Sequence, residues 1–241
     1  MMFTCWVKAC APPPVGKGGS AGTAARRMAE IVVADMRQRE GRRGGGPITK
    51  TMKSVASATG MKMVGLKFRI KDEKSATRKI YDKARKAIGK KIFGDTKQTK
   101  AAEEKYVVED LSDILRFTMT SPAKTHARDV RRAVGELKAQ GYKILEADNR
   151  WKRSEDLTRE DVYQGVNMTV QAPDGTRFEL QFHTTGRTGS HHVKQNVMHD
   201  DYNISRDAAS TQEQVYAAET RMLGAAKKIE VPDGIVGAKL D

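Results

Sequence analysis

The chain has 241 residues, 38% hydrophobic and 31% charged, which suits one large soluble domain or one domain with a helical annex. No apolar stretch approaches the roughly eighteen residues that a membrane-spanning helix needs. The two cysteines, Cys5 and Cys10, stand in the opening segment with no histidine nearby, so a disulfide framework and a zinc site are both excluded. A net charge of +14 points instead to polyanionic partners: nucleotides, RNA or an acidic surface.

Residues 1–21 lack the long apolar centre of a secretory signal, although Ala9, Cys10 and Ala11 superficially suggest a cleavage site. They read as a disordered tail, and the protein as cytoplasmic. Met28, Ile31, Val32 and Met36 then recur at helical spacing and predict an amphipathic helix over residues 22–38. The run GRRGGGP at 41–47 makes a linker or sharp turn, and residues 48–62 suit a second, weaker helix. Together residues 22–64 form an N-terminal helical segment.

Leu66, Phe68 and Ile70 alternate with Lys67, Arg69 and Lys71, which predicts a short strand. Asp72 or Ser75 can cap the following helix, whose buried stripe is Ile80, Ala84, Ala87 and Ile88. Arg69, Lys71, Ser75, Arg78 and Lys79 thereby gather near a helix N-terminus, where unsatisfied amides and the dipole favour anions. That makes a credible triphosphate cradle; taken alone, it is also what a common solvated basic face looks like.

Residues 91–105 are polar and read as a loop or exposed helix. Asp110 and Asp113 stand where the chain enters a buried strand, Ile114 to Met119, whose apolar run Arg116 interrupts. A buried charge is costly unless paired, so Arg116 is expected to meet an anion, structural or phosphate. A helix from Ala123 to Gln140 carries Ala127, Val130, Val134 and Leu137 on one stripe and stops at Gly141. A short strand from Tyr142 to Glu146 and the polar connection NRWKRSEDLTRED follow.

The most ordered pattern lies between Tyr163 and Thr184. Val166, Met168 and Val170 alternate with Gly165, Asn167 and Thr169, and Phe178, Leu180 and Phe182 alternate with Glu179, Gln181 and His183. Pro173, Asp174 and Gly175 form the turn between these strands. On alternation alone this is an ordinary amphipathic hairpin with a solvated polar face. If its apolar set covers a core, Asn167, Glu179 and Gln181 stand side by side on the open face. The next segment, TGRTGSHH, reads as flexible; Lys194, His199, Tyr202 and Arg206 punctuate a further helix, and Thr211 to Ile229 form the last. The pattern of elements is α+β, a mixed sheet of about five strands flanked by helices.

These residues resemble the synthetase domain of the RelA/SpoT family, nucleotide pyrophosphokinases that make alarmones. Arg69, Lys71, Ser75 and Lys79 in RIKDEKSATRK look like the family's ATP-phosphate segment, with Arg78 beside them. Asp113 and Arg116 in DILRFT look like its metal-binding aspartate and following arginine, and Tyr163 in YQGVN like the tyrosine on which the acceptor base stacks. Glu179 and Gln181 in ELQFHT are similar to the second acidic residue of the metal site and its neighbouring glutamine; His199 and Tyr202 fit more loosely. The matches keep family order over roughly residues 65–206. Asn167 stands where the family usually has histidine, and His183 where it usually has arginine, as in the small toxin-like and phage-associated branch.

The resemblance implies a nucleotidyltransferase-like fold over 65–232, followed by a tail at 233–241. It also implies Mg²⁺ on Asp113 and Glu179, and transfer of pyrophosphate from ATP to a ribose hydroxyl. Arg116 and Gln181 would join the catalytic set, while Tyr163, Asn167, His183, Lys194 and His199 would face the acceptor. That acceptor is left open among GDP or GTP, an adenine nucleotide and the 3′ end of tRNA. An antitoxin or immunity protein is a further partner the resemblance admits, and a membrane is not. A reading of another class is a nucleic-acid-binding module without catalysis.

Overall fold

The computed structural model describes residues 21–81, 111–207 and 209–240. Cys5, Cys10, Ala84, Ala87, Ile88, Asp110 and the polar stretch 91–105 lie outside the described residues.

In chain order the elements are helix α1 (Ala21–Glu40), α2 (Pro47–Thr59), β1 (Lys62–Val64), α3 (residues 73–81), β2 (Arg116–Ser121), α4 (His126–Ala139), β3 (Lys143–Asn149), β4 (Val166–Gln171) and β5 (Arg177–Thr184). They continue as α5 (Ser190–His192), a π-turn at Val193–Val197, α6 (His199–Arg206) and α7 (Gln212–Ala226). The fold is α+β, with a five-stranded sheet in the order β1-β2-β5-β4-β3 and helices flanking it. β1 pairs with β2 antiparallel, Lys62 opposite Thr120. The amides of Glu179 and Thr185 donate to the carbonyls of Leu115 and Ser121, so β5 and β2 advance in the same direction and the sheet is mixed.

The chain divides into two compact units, each discontinuous in sequence. The first comprises the described residues of Met1–Thr51, Gly65–Arg116 and Val170–Glu179. Its core includes Ala25, Ala29, Val33, Met36, Ile48, Ala76, Ile80, Ile114, Leu115 and Phe178. The buried stripe of α1 is thus Ala25, Ala29, Val33 and Met36, not the expected Met28, Ile31 and Val32, which are half-buried. Ala25, Ala29, Val33 and Met36 recur at three- and four-residue spacing and so share one face, while Met28, Ile31 and Val32 fall on its flank. Glu40, at the end of this stripe, is also buried. Its carboxylate accepts from the amides of Ile48 and Thr49 at 3.0 and 2.8 Å and from the Thr49 hydroxyl at 2.7 Å. A carboxylate at the first turn of α2 satisfies donors the helix cannot, which makes the glycine run a sharp turn. At Gly46 a Cβ would strike the Arg39 carbonyl and the Glu40 carboxylate, so that position has no room for a side chain.

The strand expected over Leu66–Ile70 is absent. Leu66–Phe68 forms a 3₁₀ turn after a left-handed Gly65, the strand lies earlier at β1, and only Ile70 pairs, as a single bridge to Leu115. Phe68 is accordingly 59% exposed, and its alternation with lysines reflects a turn.

The second unit comprises the described residues of Met52–Val64, Phe117–Thr169 and Leu180–Asp241. Here the expected stripe of α4 is buried as predicted, joined by His126, Asp129 and Ala133. Trp151 and Leu157, assigned by sequence to a polar connection, are buried, and His126 meets the Trp151 ring edge-on at 5.7 Å. β4 alternates buried and half-buried residues throughout, as the hairpin pattern requires. α7 starts at a capping box in which Thr211 and Gln214 bond reciprocally, and it buries Ala218, Met222 and Ala226. The segment expected to be flexible is anchored: Ser190 is buried, and its hydroxyl and amide both bond to Thr184.

Candidate active site

Two clusters of the expected residues stand out, one in each unit. In the first unit, Asp72 caps α3 by accepting from the Ser75 amide at 2.9 Å, and that bond holds the Asp72 carboxyl below the usual carboxylate range. The helix N-terminus expected to offer bare amides to phosphate therefore already has an anion. The cations are organised around a different point. Lys71, just before α3, and Lys79, two turns along it, both place Nζ 2.6 Å from Oδ2 of Asp113. The bridge between Ile70 and Leu115, with the Lys71 amide donating to the Ile114 carbonyl at 2.9 Å, brings the two segments to this register.

Asp113 is buried, and burial opposes its ionisation. The bonds and charges of Lys71 and Lys79 outweigh that cost, so its pKa lies below the ordinary aspartate value. Its other oxygen, Oδ1, is also buried and has no hydrogen-bond partner among the described residues. A buried, ionised carboxylate with one oxygen unpartnered among the described residues has the chemistry that a hard cation requires of a ligand. No group of three or more His, Cys, Asp or Glu side chains that could hold a metal occurs among the described residues. A Mg²⁺ ion carried by phosphates and water does not need one, so the residues present fit it.

The remaining residues of this set are arranged differently. Arg116 was expected in a buried strand; it is exposed at the first position of β2, where its charge stays hydrated. In the parallel ladder Glu179, whose amide reaches Leu115, stands beside Arg116 on the same face. Glu179 is half-buried. Arg69 turns away, donating to the carbonyls of Leu66 at 3.0 Å and Glu40 at 2.6 Å. Arg78 is exposed, and Ser75 is half-buried next to Asp72.

The second unit holds a polar cluster on the hairpin. The turn bond from Ala172 to Thr176 sets a register that puts Asn167 opposite Gln181 and Gly165 opposite His183. The Tyr163 hydroxyl donates to Asn167 Oδ1 at 2.7 Å and lies 3.0 Å from His183 Nε2. The other ring nitrogen of His183 lies 2.9 Å from the Ser190 hydroxyl and 3.1 Å from the Gln164 carbonyl. His183 was expected on an open face, yet it is fully buried. That burial, with the Lys194 charge beside it, pushes its pKa well below the usual histidine value, so it is neutral at pH 7. Its role in this arrangement is to hold Tyr163. Lys194 donates to Gln181 Oε1 at 3.0 Å, and its ammonium lies 5.0 Å from the centroid of the Tyr163 ring. Stacking of a base on that face requires Lys194 to move. His199 is exposed at the start of α6, and no hydrogen bond ties it to this cluster among the described residues.

Sequence reasoning missed Gln164, Gly165 and Ser190, which support this cluster from beneath. Gln164 is buried and exchanges two bonds with the Lys152 backbone. A Cβ at Gly165 would lie 2.6 Å from the His183 ring. The signal available was a glycine inside a strand pattern, which marks close approach of another group.

No family model matches the chain, and no curated protein matches it. Among solved structures, the crystal structure of the complex between the Type VI effector Tas1 and its immunity protein is similar at a TM-score of 0.40 and 16% identity. The similarity covers 90% of this chain and 99% of that one.

Proposed function

We propose that the protein is a Mg²⁺-dependent pyrophosphokinase of RelA/SpoT type that transfers the β,γ-pyrophosphate of ATP to a ribose hydroxyl of a nucleotide. The observation that carries this reading is Asp113: ionised, buried, bridged by two lysines through one oxygen and without a hydrogen-bond partner among the described residues at the other. A buried carboxylate oxygen left without a protein partner calls for an ion, a water or a ligand group to satisfy it. Lys71 and Lys79 bind oxygens of the triphosphate, and Arg116, hydrated and beside Glu179, meets charge that develops on the transferred group. Asp113 and Glu179 would hold the metal, which would neutralise phosphate charge. Tyr163 presents its ring to the acceptor base, with Asn167, Gln181 and Lys194 as polar neighbours and His183 as its support. The ribose oxygen bonds to the β-phosphorus, the bond from that phosphorus to the α-phosphate's bridging oxygen breaks, and AMP and a proton leave. Positioning and charge neutralisation supply the rate, with no covalent nucleophile.

The test is transfer of label from γ-³²P-ATP to a panel of GDP, GTP, adenine nucleotides and tRNA, with AMP release measured alongside. Label is expected in a mononucleotide; label in the tRNA 3′ end would redirect the acceptor assignment. Asp113→Asn and Glu179→Gln should each lower transfer at least about a hundredfold while the circular dichroism spectrum is kept. Failure of wild-type protein to release AMP with any acceptor would leave a nucleic-acid-binding module as the reading.

A further inference from the structure

The two ammonium groups on Asp113 have a consequence for the order in which ligands bind. We infer that this site rejects a free divalent cation and accepts the same cation together with a polyphosphate, because Lys71 and Lys79 guard the carboxylate until phosphate oxygens draw them off. The inference rests on the metal reading of Asp113 above. Both ammonium nitrogens lie 2.6 Å from one carboxylate oxygen in a buried setting, so two positive charges already offset its single negative one. A divalent ion arriving alone at Oδ1 meets net repulsion at close range, where screening by water and salt is weak. A triphosphate reverses the balance: it supplies several acceptors for the lysines and leaves the carboxylate to the ion.

The two lysines are not equivalent in this exchange. The Lys71 side chain is 13% exposed and comes from the segment bridged to Leu115, whereas Lys79 is 30% exposed and stands on α3. Lys79 has the greater access to solvent and is the one to swing onto phosphate first. By linkage, the factor by which polyphosphate tightens ion binding equals the factor by which the ion tightens polyphosphate binding, and a value of roughly ten- to hundredfold is expected.

The experiment titrates the full chain with Mn²⁺, read by the loss of its free-ion electron paramagnetic resonance signal, with and without α,β-methylene-ATP. Wild-type protein should bind the ion weakly alone and at least about tenfold more tightly with the analogue. Lys79→Met should tighten binding of the ion alone and weaken that of the analogue, two shifts of opposite sign that a loss of structure would not produce. Lys79→Arg, which keeps the charge, should leave ion binding near the wild-type value. Equal affinity for the ion with and without the analogue, or Lys79→Met that leaves ion binding unchanged or weaker, overturns the inference. If wild-type protein binds neither ion nor analogue, the metal-nucleotide reading of the site fails first.

Discussion

At the scale of single residues, buried polar groups decide how this protein responds to pH. His126 has its Nδ1 2.9 Å from the Ser121 hydroxyl and its Nε2 buried without a partner among the described residues. Burial lowers its pKa from 6.5 to about 4, against the opposing pull of Asp129. The folded state therefore resists protonation that the unfolded chain accepts, and stability falls as pH drops from 6.5 towards 4, by about 3 kcal/mol for this group. Urea denaturation at pH 7 and pH 4.5 should show that loss, and His126→Phe should flatten it; an unchanged slope would contradict the assignment. Asp113 works at lower pH: its depressed pKa contributes stability above the unfolded value of 3.8, lost as pH falls through the folded one. Gly165→Ala tests the support beneath Tyr163. Its Cβ would press on the His183 ring, so a loss of about 1–3 kcal/mol is expected in thermal unfolding and, under the proposed function, weaker acceptor binding alongside.

Between elements, the connection of α1 to α2 shows how a single side chain organises backbone. Glu40 closes the α2 N-terminus with three hydrogen bonds, while its own carbonyl receives the Arg69 guanidinium. Arg69 thus ties the end of α1 to the segment that leads into Lys71. Glu40→Ala leaves two buried amides without acceptors and should cost about 2–4 kcal/mol, measured as a shift of the denaturation midpoint. Outward from this joint, Arg37 pairs with Glu73 at 2.6 Å on the first turn of α3. That pair is solvent-exposed and adds little to stability.

Across the whole molecule, the charge of +14 favours anionic ligands, yet the named cations of both polar clusters are largely committed within their own unit. Lys71 and Lys79 serve Asp113, Arg69 serves backbone carbonyls, and Lys194 serves Gln181 and the Tyr163 ring. Binding of a nucleotide under the proposed function is then an exchange of partners, in which few new charges are exposed. Under the proposed function, Tyr163→Ala should raise the acceptor KM by roughly ten- to hundredfold, the equivalent of about 1–3 kcal/mol of base stacking, and leave the KM for ATP unchanged. A rise in the ATP KM instead would remove Tyr163 from the acceptor side.

Read alone, the sequence determined the amphipathic hairpin, the stripe of α4, the last helix and the α+β class, because each follows from local periodicity. It also singled out Asp113, Lys71 and Lys79 as chemically important without showing that they touch. Only the tertiary structure decided that the lysines converge on Asp113, that Arg69 faces backbone and that Arg116 is hydrated. It likewise decided that His183 is sealed under Tyr163 by Ser190. A strand pattern states which face a side chain shares, but burial and pairing depend on what another part of the chain brings to that face. The missing strand at Leu66–Ile70 makes the same point: alternation of lysines with apolar residues also describes a turn, and only the position of β2 selected β1 and the Ile70 bridge in its place.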